Sequence, residues 1–182
     1  MKTILVTGGT GFIGSHTSVE LIQAGYEVII IDSLVNSKIL VLDRIQKITG
    51  IRPIFYQVDL RDEAKVIEVF KKHNIDAVIH FAGLKAVGES VEKPELYYDN
   101  NIGSSKVLLK VMKKFGIKNI VFSSSATVYG VPDRVPLYES DPIKKATNPY
   151  GQTKIEIEKL LQAEYQKDKS MNIVILRYFN PI

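Results

Sequence analysis

Residues 2–14 read Lys2-Thr3-Ile4-Leu5-Val6-Thr7-Gly8-Gly9-Thr10-Gly11-Phe12-Ile13-Gly14. Ile4 to Val6 is short and wholly apolar, which suits a strand buried on both faces of a parallel sheet. The glycines follow at once, and then Phe12, Ile13, Val19, Leu21 and Ile22 recur in a helical pattern. Strand, glycine turn and helix together are the setting in which such glycines bind a dinucleotide. Without side chains the turn is tight and its backbone can approach a pyrophosphate. The helix start then offers free amides and the positive end of its dipole to that charge. Two spacings coexist, Gly9-x-Gly11-x-x-Gly14 and Gly8-x-x-Gly11-x-x-Gly14.

Outward from this stretch, apolar runs and helical patterns alternate. Ala24-Gly25 stops the first helix, and Val28 to Ile31 reads as a second buried strand ending at Asp32. Asp32 lies 18 residues past Gly14, close to the ~20-residue offset of an acid that binds ribose hydroxyls. A carboxylate there repels a 2′-phosphate, and Ser33 rather than an arginine follows, so NAD is expected over NADP. The plainer role for Asp32 is a cap or turn. Ile39, Leu42, Ile45 and Ile48 predict a helix up to Thr49-Gly50, and Ile54 to Val58 a third strand. Asp59, just after it, can accept from an adenine amino group, cap the helix expected from about Asp62 to Lys72, or both. Asp76 to His80 reads as the fourth strand, and it brings Phe81-Ala82-Gly83 to the carboxyl edge of the sheet, where ligands sit in such folds.

A long helix is expected from about Pro94 to Lys114, with Val107, Leu108, Val111 and Met112 as its apolar stripe. Ile120 to Phe122 is the fifth strand and runs into Ser123-Ser124-Ser125. Residues 130–147 hold three prolines and no period, which marks a loop of functional length. Asn148-Pro149 opens the next helix as cap and first turn, with Leu160, Leu161 and Tyr165 as its buried face. Ile173 to Leu176 is the sixth strand. The expected class is therefore α/β, a doubly wound parallel sheet of the Rossmann type with strand order 3-2-1-4-5-6, and residues 1–182 as one dinucleotide-binding domain.

Composition narrows the function. There is no cysteine, which excludes disulfides and thiolate chemistry. His16, His73 and His80 are scattered without metal-ligand spacing, so no metal site is expected. A net charge of +4 comes from lysines spread along the helices, not from a basic patch with interleaved aromatics, and nucleic acid is not expected as a partner. No run of about 18 apolar residues and no signal-like N-terminus occurs, so a cytoplasmic protein that neither spans a membrane nor is exported is expected.

Tyr150-Gly151-Gln152-Thr153-Lys154 places a phenol and an ammonium four residues apart on one helix face. A free phenol has a pKa of about 10, too high for a base at neutral pH. A nearby lysine cation stabilises the phenolate, as does the positive ring of a bound nicotinamide. Ser125, at a strand's carboxyl end, would hydrogen-bond the same substrate hydroxyl. Such a group removes a hydroxyl proton while hydride leaves the same carbon for NAD. On its own Tyr-x-x-x-Lys recurs by chance; the glycine turn, Asp32 and Ser125 give it weight.

With these residues in view, the chain resembles the extended short-chain dehydrogenase/reductases, in the NAD-dependent epimerase/dehydratase family. The resemblance is carried by Thr7 to Thr17, His80 to Val91, Tyr97 to Asn101, Phe122 to Gly130, Asn148 to Lys154 and Leu176 to Pro181, and so runs the length of the chain. Leu84 to Ser90 points to the branch that inverts C4 of UDP-hexoses. The resemblance implies NAD contacts at Gly8, Gly11, Phe12, Ile13, Gly14, Asp32, Ser33, Asn36, Ser37, Asp59, Leu60, Phe81, Ala82, Gly83, Lys85, Asn100, Tyr150, Lys154 and Phe179. It implies catalytic roles for Ser125, Tyr150 and Lys154, and UDP-sugar contacts at Lys85, Ser125, Tyr150 and Asn180. The implied reaction interconverts UDP-glucose and UDP-galactose, in galactose metabolism, by transient oxidation at C4 and hydride return. Without the family, Phe179 and Asn180 would pass as core packing and a strand-end turn, and Lys85 and Asn100 as solvated loop and helix cap.

Two positions depart from the pattern: Ser33 stands where members often have Asn, and Phe12 where many have Tyr. Members also continue past the position of Ile182 into a domain that grips the uridine diphosphate. A member lacking its substrate domain, and inactive as an isolated piece, is therefore expected. The full-length protein could pair with a second copy through the helices near 94–114 and 148–167. The alternatives are another NAD-dependent sugar-nucleotide epimerase or dehydratase, and a non-catalytic dinucleotide-binding module. A 4,6-dehydratase would need an acid/base pair beside Ser125, where Ala126-Thr127 supplies no carboxylate.

Overall fold

The computed structural model describes residues 1–181. Its six-stranded sheet comprises β1 (Thr3–Thr7), β2 (Glu27–Asp32), β3 (Ile54–Gln57), β4 (Ala77–His80), β5 (Asn119–Ser125) and β6 (Asn172–Tyr178). The order is β3-β2-β1-β4-β5-β6 with every pairing parallel, the expected doubly wound arrangement. Leu5 sits opposite Ile29 on one side and Val78 on the other, so β1 is central and its chain reversal opens a crevice at the carboxyl edge.

The central strands carry apolar runs, Ile4 to Val6, Val28 to Ile31, Ala77 to Ile79 and Ile120 to Phe122, because both faces are covered. Leu5, Ile29, Ile31, Val78, Ile120 and Phe122 pack with helices α3 (Glu63–Lys72), α6 (Ser104–Lys114) and α7 (Pro149–Lys167). Their neighbours Ile4, Val6, Val28 and Ile30 turn the other way, onto α1 (Phe12–Gln23) and α2 (Leu40–Thr49). At roughly 1.5–3 kcal/mol per buried aliphatic side chain, these two layers are the main drive to fold.

Several elements differ from expectation. The buried residues of α1 are Gly14, Ser18 and Ile22, and Phe12 is 53% exposed. Close packing of the helix start on the glycine turn leaves no room there for large side chains: a Cβ on Gly14 would overlap the Gly8 carbonyl and lie 2.8 Å from Gly9 Cα. The stretch expected as one helix from Pro94 to Lys114 has three parts, α5 (Pro94–Tyr97), a π-turn (Tyr98–Gly103) and α6. Two short elements had no periodic signal, α4 (Val87–Glu92) and a 3₁₀ turn (Ala126–Tyr129). In α7, Leu161 is buried but Tyr165 is exposed; the covered face runs through Thr153, Lys154, Ile157, Glu158 and Leu161, so polar residues hold inward positions. Residues 131–147 form a loop, and Leu137 and Ala146 from it pack with Val128, Tyr129 and Ile155 as a small separate core. No helix among the described residues is long and apolar enough to cross a membrane.

Candidate active site

One cleft of about 710 Å³ runs along the carboxyl edge of the sheet. At one end lie Gly8, Gly11, Phe12, Ile13 and Gly14 with Asp32, Ser33, Asn36 and Ser37; Asp59 and Leu60 follow from the end of β3. Phe81, Ala82, Gly83, Lys85 and Asn100 form the middle, and Ser125, Tyr150, Lys154, Phe179 and Asn180 the far end. Every candidate residue thus lines one cavity, although they come from eight separate segments of the chain.

The glycine turn is built for close approach. Gly8 has φ +69°, and a Cβ on it would lie 2.7 Å from the Ala82 nitrogen, so β1 and β4 end back to back. Asp32 serves as a turn residue as well as a cleft residue. One oxygen accepts from Leu34 N at 2.9 Å and from the Ser37 hydroxyl at 3.1 Å, the other from Thr10 N at 3.2 Å. Its named partners carry no positive charge. Asp59 does not cap α3; Asp62 does, accepting from Lys65 N at 3.2 Å. The Asp59 carboxylate is taken up by Arg61 at 2.7 Å, which holds it below the usual carboxylate range, and Arg61 also reaches Asp99 at 2.6 Å.

Asn101, beside the expected Asn100, has the larger structural part. Buried inside the π-turn, it accepts from Leu84 N at 2.8 Å and donates to Leu84 O at 3.0 Å and to Thr153 Oγ1 at 3.1 Å. It therefore clamps the loop after β4 to the helix turn between Tyr150 and Lys154. His80, at the end of β4, is buried and bonded to Thr7 and Ser105, and burial pushes its pKa down to about 3.

Asn148 caps α7 as expected, accepting from Gly151 N at 2.8 Å, and so fixes the turn that carries Tyr150. Lys154 lies one turn on, its Nζ 5.8 Å from the Tyr150 ring centre and 4.9 Å from that of Phe122. It donates to Ser123 O at 2.7 Å. Burial lowers its pKa to about 8, against the opposing pull of Glu158. Burial raises the Tyr150 phenol above its ordinary range, and the Ser125 hydroxyl pulls it the other way. Below Lys154, wholly buried Glu158 accepts from Ser124 at 2.5 Å and pairs with Arg177 at 2.9 and 3.1 Å; Arg177 also donates to Tyr129 at 2.9 Å. That network ties α7 to β5 and to β6, whose next residues Tyr178, Phe179 and Asn180 enter the cleft. Among the described residues no buried side-chain nitrogen or oxygen lacks a partner, and no group of three His, Asp or Glu could hold a metal ion.

Residues 4–182 match the NAD dependent epimerase/dehydratase family. The chain belongs to that family. Within it, the chain is 54% identical over 183 residues to a UDP-glucose 4-epimerase of Schizosaccharomyces pombe, covering 98% of this chain and 51% of that protein. A Bacillus subtilis UDP-glucose 4-epimerase is 53% identical over 178 residues, covering 98% and 52%. Among solved structures, the UDP-glucose 4-epimerase of Bifidobacterium longum, in complex with NAD+ and UDP, superposes with a TM-score of 0.98 at 55% identity, covering 100% of this chain and 54% of that one. The chain thus spans about half the length of the family members it matches.

Proposed function

We propose that the full-length protein interconverts UDP-glucose and UDP-galactose through transient oxidation at C4, with NAD as its resident cofactor. The observation that carries this reading is the continuity of one cleft from the glycine turn and Asp32 to Ser125, Tyr150 and Lys154. The cradle suits a dinucleotide: the Gly8 and Gly14 contacts leave backbone where side chains would block a pyrophosphate. Asp32 has hydroxyl and amide partners that ribose hydroxyls can replace, and no cation to offset a 2′-phosphate. Asp59 is held ionised by Arg61 as an acceptor for an amino group. Phe12, Ile13, Phe81 to Lys85, Asn100 and Phe179 complete the cofactor wall.

When bound, NAD supplies a hydride acceptor that returns the hydride, and a positive ring beside the phenol. The side chains handle the proton. The Tyr150 phenolate takes it from the 4-hydroxyl and gives it back to the same oxygen; because hydride also returns to C4, no net redox occurs. Ser125 donates a hydrogen bond to the Tyr150 oxygen, and Lys154 supplies the fixed cation. Lys85 and Asn180 face the UDP-sugar. The hexose must turn between the two transfers, so affinity lies in the nucleotide diphosphate, which we assign chiefly to a substrate domain following residues 1–182. A cytoplasmic location and a homodimer through α6 and α7 are part of this reading. A dehydratase is disfavoured because Thr127, not a carboxylate, faces the cleft beside Ser125.

The test is turnover of UDP-galactose by the full-length protein and its Tyr150→Phe variant. Wild type should convert it with NAD retained, and the variant should keep NAD but lose about 10²–10⁴ in kcat, the usual loss of a general base. A variant with near-normal turnover would place the base elsewhere.

A further inference from the structure

Ser125 closes β5 and opens the 3₁₀ turn Ala126–Tyr129, and its hydroxyl is already engaged from one side. Its Oγ accepts from Thr127 N at 3.2 Å and from the Thr127 hydroxyl at 3.0 Å. A serine oxygen has two acceptor positions and one hydrogen. With both positions filled by one residue, only the hydrogen is left to face the cleft. Thr127 lines that cleft too, but the hydrogen of its own hydroxyl is directed at Ser125.

We propose that Thr127 is a positioning residue that fixes the polarity of Ser125, making its hydroxyl an obligate donor toward the Tyr150 oxygen. This rests on the reading of Tyr150 as the base. In this arrangement the substrate proton passes from O4 of the hexose directly to the Tyr150 oxygen. The Ser125 hydrogen stays on serine throughout, because a relay would require its oxygen to accept, and both acceptor positions are filled. The donated bond favours the phenolate over the phenol, in line with the downward pull of Ser125 on Tyr150. The other groups around the phenol are Lys154 one turn along α7, Tyr97 on α5 with its Glu89 partner on α4, and Lys85 in the same cleft. Thr127 bonds none of them, so a change at 127 acts on Tyr150 through Ser125.

The experiment uses full-length Thr127→Val and Thr127→Ala, which both remove the hydroxyl, Thr127→Ser, which keeps it, and Ser125→Ala. Each is followed by NAD content and the pH profile of kcat on UDP-galactose. With one acceptor position vacated, Ser125 can rotate its hydrogen away from Tyr150. The acid limb of kcat should then move to higher pH in Val and Ala, with kcat below the limb falling about three- to tenfold, the effect of one hydrogen bond. KM and NAD content should hold, and Ser should restore the wild-type limb. Val and Ala variants with an unmoved limb, beside a crippled Ser125→Ala, would overturn the role of Thr127 and leave Tyr150 as the base. If Ser125→Ala itself turns over normally, the reading of the site falls and this role with it.

Discussion

Ser105 directs its only hydrogen to Asn101 O at 2.7 Å, so His80 Nε2, 2.9 Å from the same hydroxyl, carries the ring proton, and Nδ1 accepts from Thr7 at 2.7 Å. Thr7 in turn accepts from Ala82 N at 3.3 Å, which makes a one-way chain from the cleft loop to the π-turn. The imidazole must stay neutral to hold it. Its pKa is about 3 when folded against 6.5 for the free side chain. Between those values the unfolded chain binds more protons, so the stability His80 contributes is full above about pH 6.5 and is lost as pH falls toward 3. Unfolding by urea should show a loss of about 2 kcal/mol from this group between pH 7 and pH 5, and His80→Gln should flatten that slope. An equal slope in the variant would assign the acid sensitivity to other groups. At this scale Asp32, Ser125, Tyr150 and Lys154 could be picked out by spacing along the chain. Thr7, Asn101, Thr127 and Glu158 could not, because they act through hydrogen bonds, several of them to strands or loops remote in sequence.

Elements whose two faces are apolar, or whose caps are spelled out locally, were legible: the central strands, Asn148-Pro149 before α7, and the strand order. Helix α1 was legible as a helix but not in its orientation, since its inward residues Gly14 and Ser18 carry no hydrophobic signal. A comparison of two glycines tests that packing. Gly14→Ala should cost about 1–3 kcal/mol by overpacking and weaken NAD binding, because the Gly8 turn must move. Gly88→Ala, in α4 with nothing within 4 Å of its Cβ, should instead gain about 0.5–1 kcal/mol. Thermal melts and calorimetry on the pair decide it; a silent Gly14→Ala would mean the turn is not tightly seated. The π-turn had no signature, because a five-residue hydrogen-bond step leaves the apolar pattern on either side intact.

Over the whole molecule, β6 alternates exposed and half-buried positions, with Val174 and Leu176 open on one side and Phe179 beyond them. Residues 1–182 expressed alone should bind NAD weakly, aggregate readily and fail to epimerise UDP-galactose at a useful rate. Positioning of the sugar can supply about 7–11 kcal/mol of a barrier, and the reading proposed above assigns most of that positioning to a substrate domain outside these residues. Turnover near that of the full-length protein, measured side by side, would locate the sugar site within these residues. The central place of β1 also has a consequence for biosynthesis. Thr3–Thr7 pairs with β2 on one edge and must wait for β4 on the other. At ribosomal speeds of about 5–20 residues per second, His80 emerges on the order of several seconds after Asp32. For that interval the nascent β1 carries an open row of amides directly beside the glycine turn, and a chaperone or a slow codon acting between those two residues would reach the chain at its most adhesive stage.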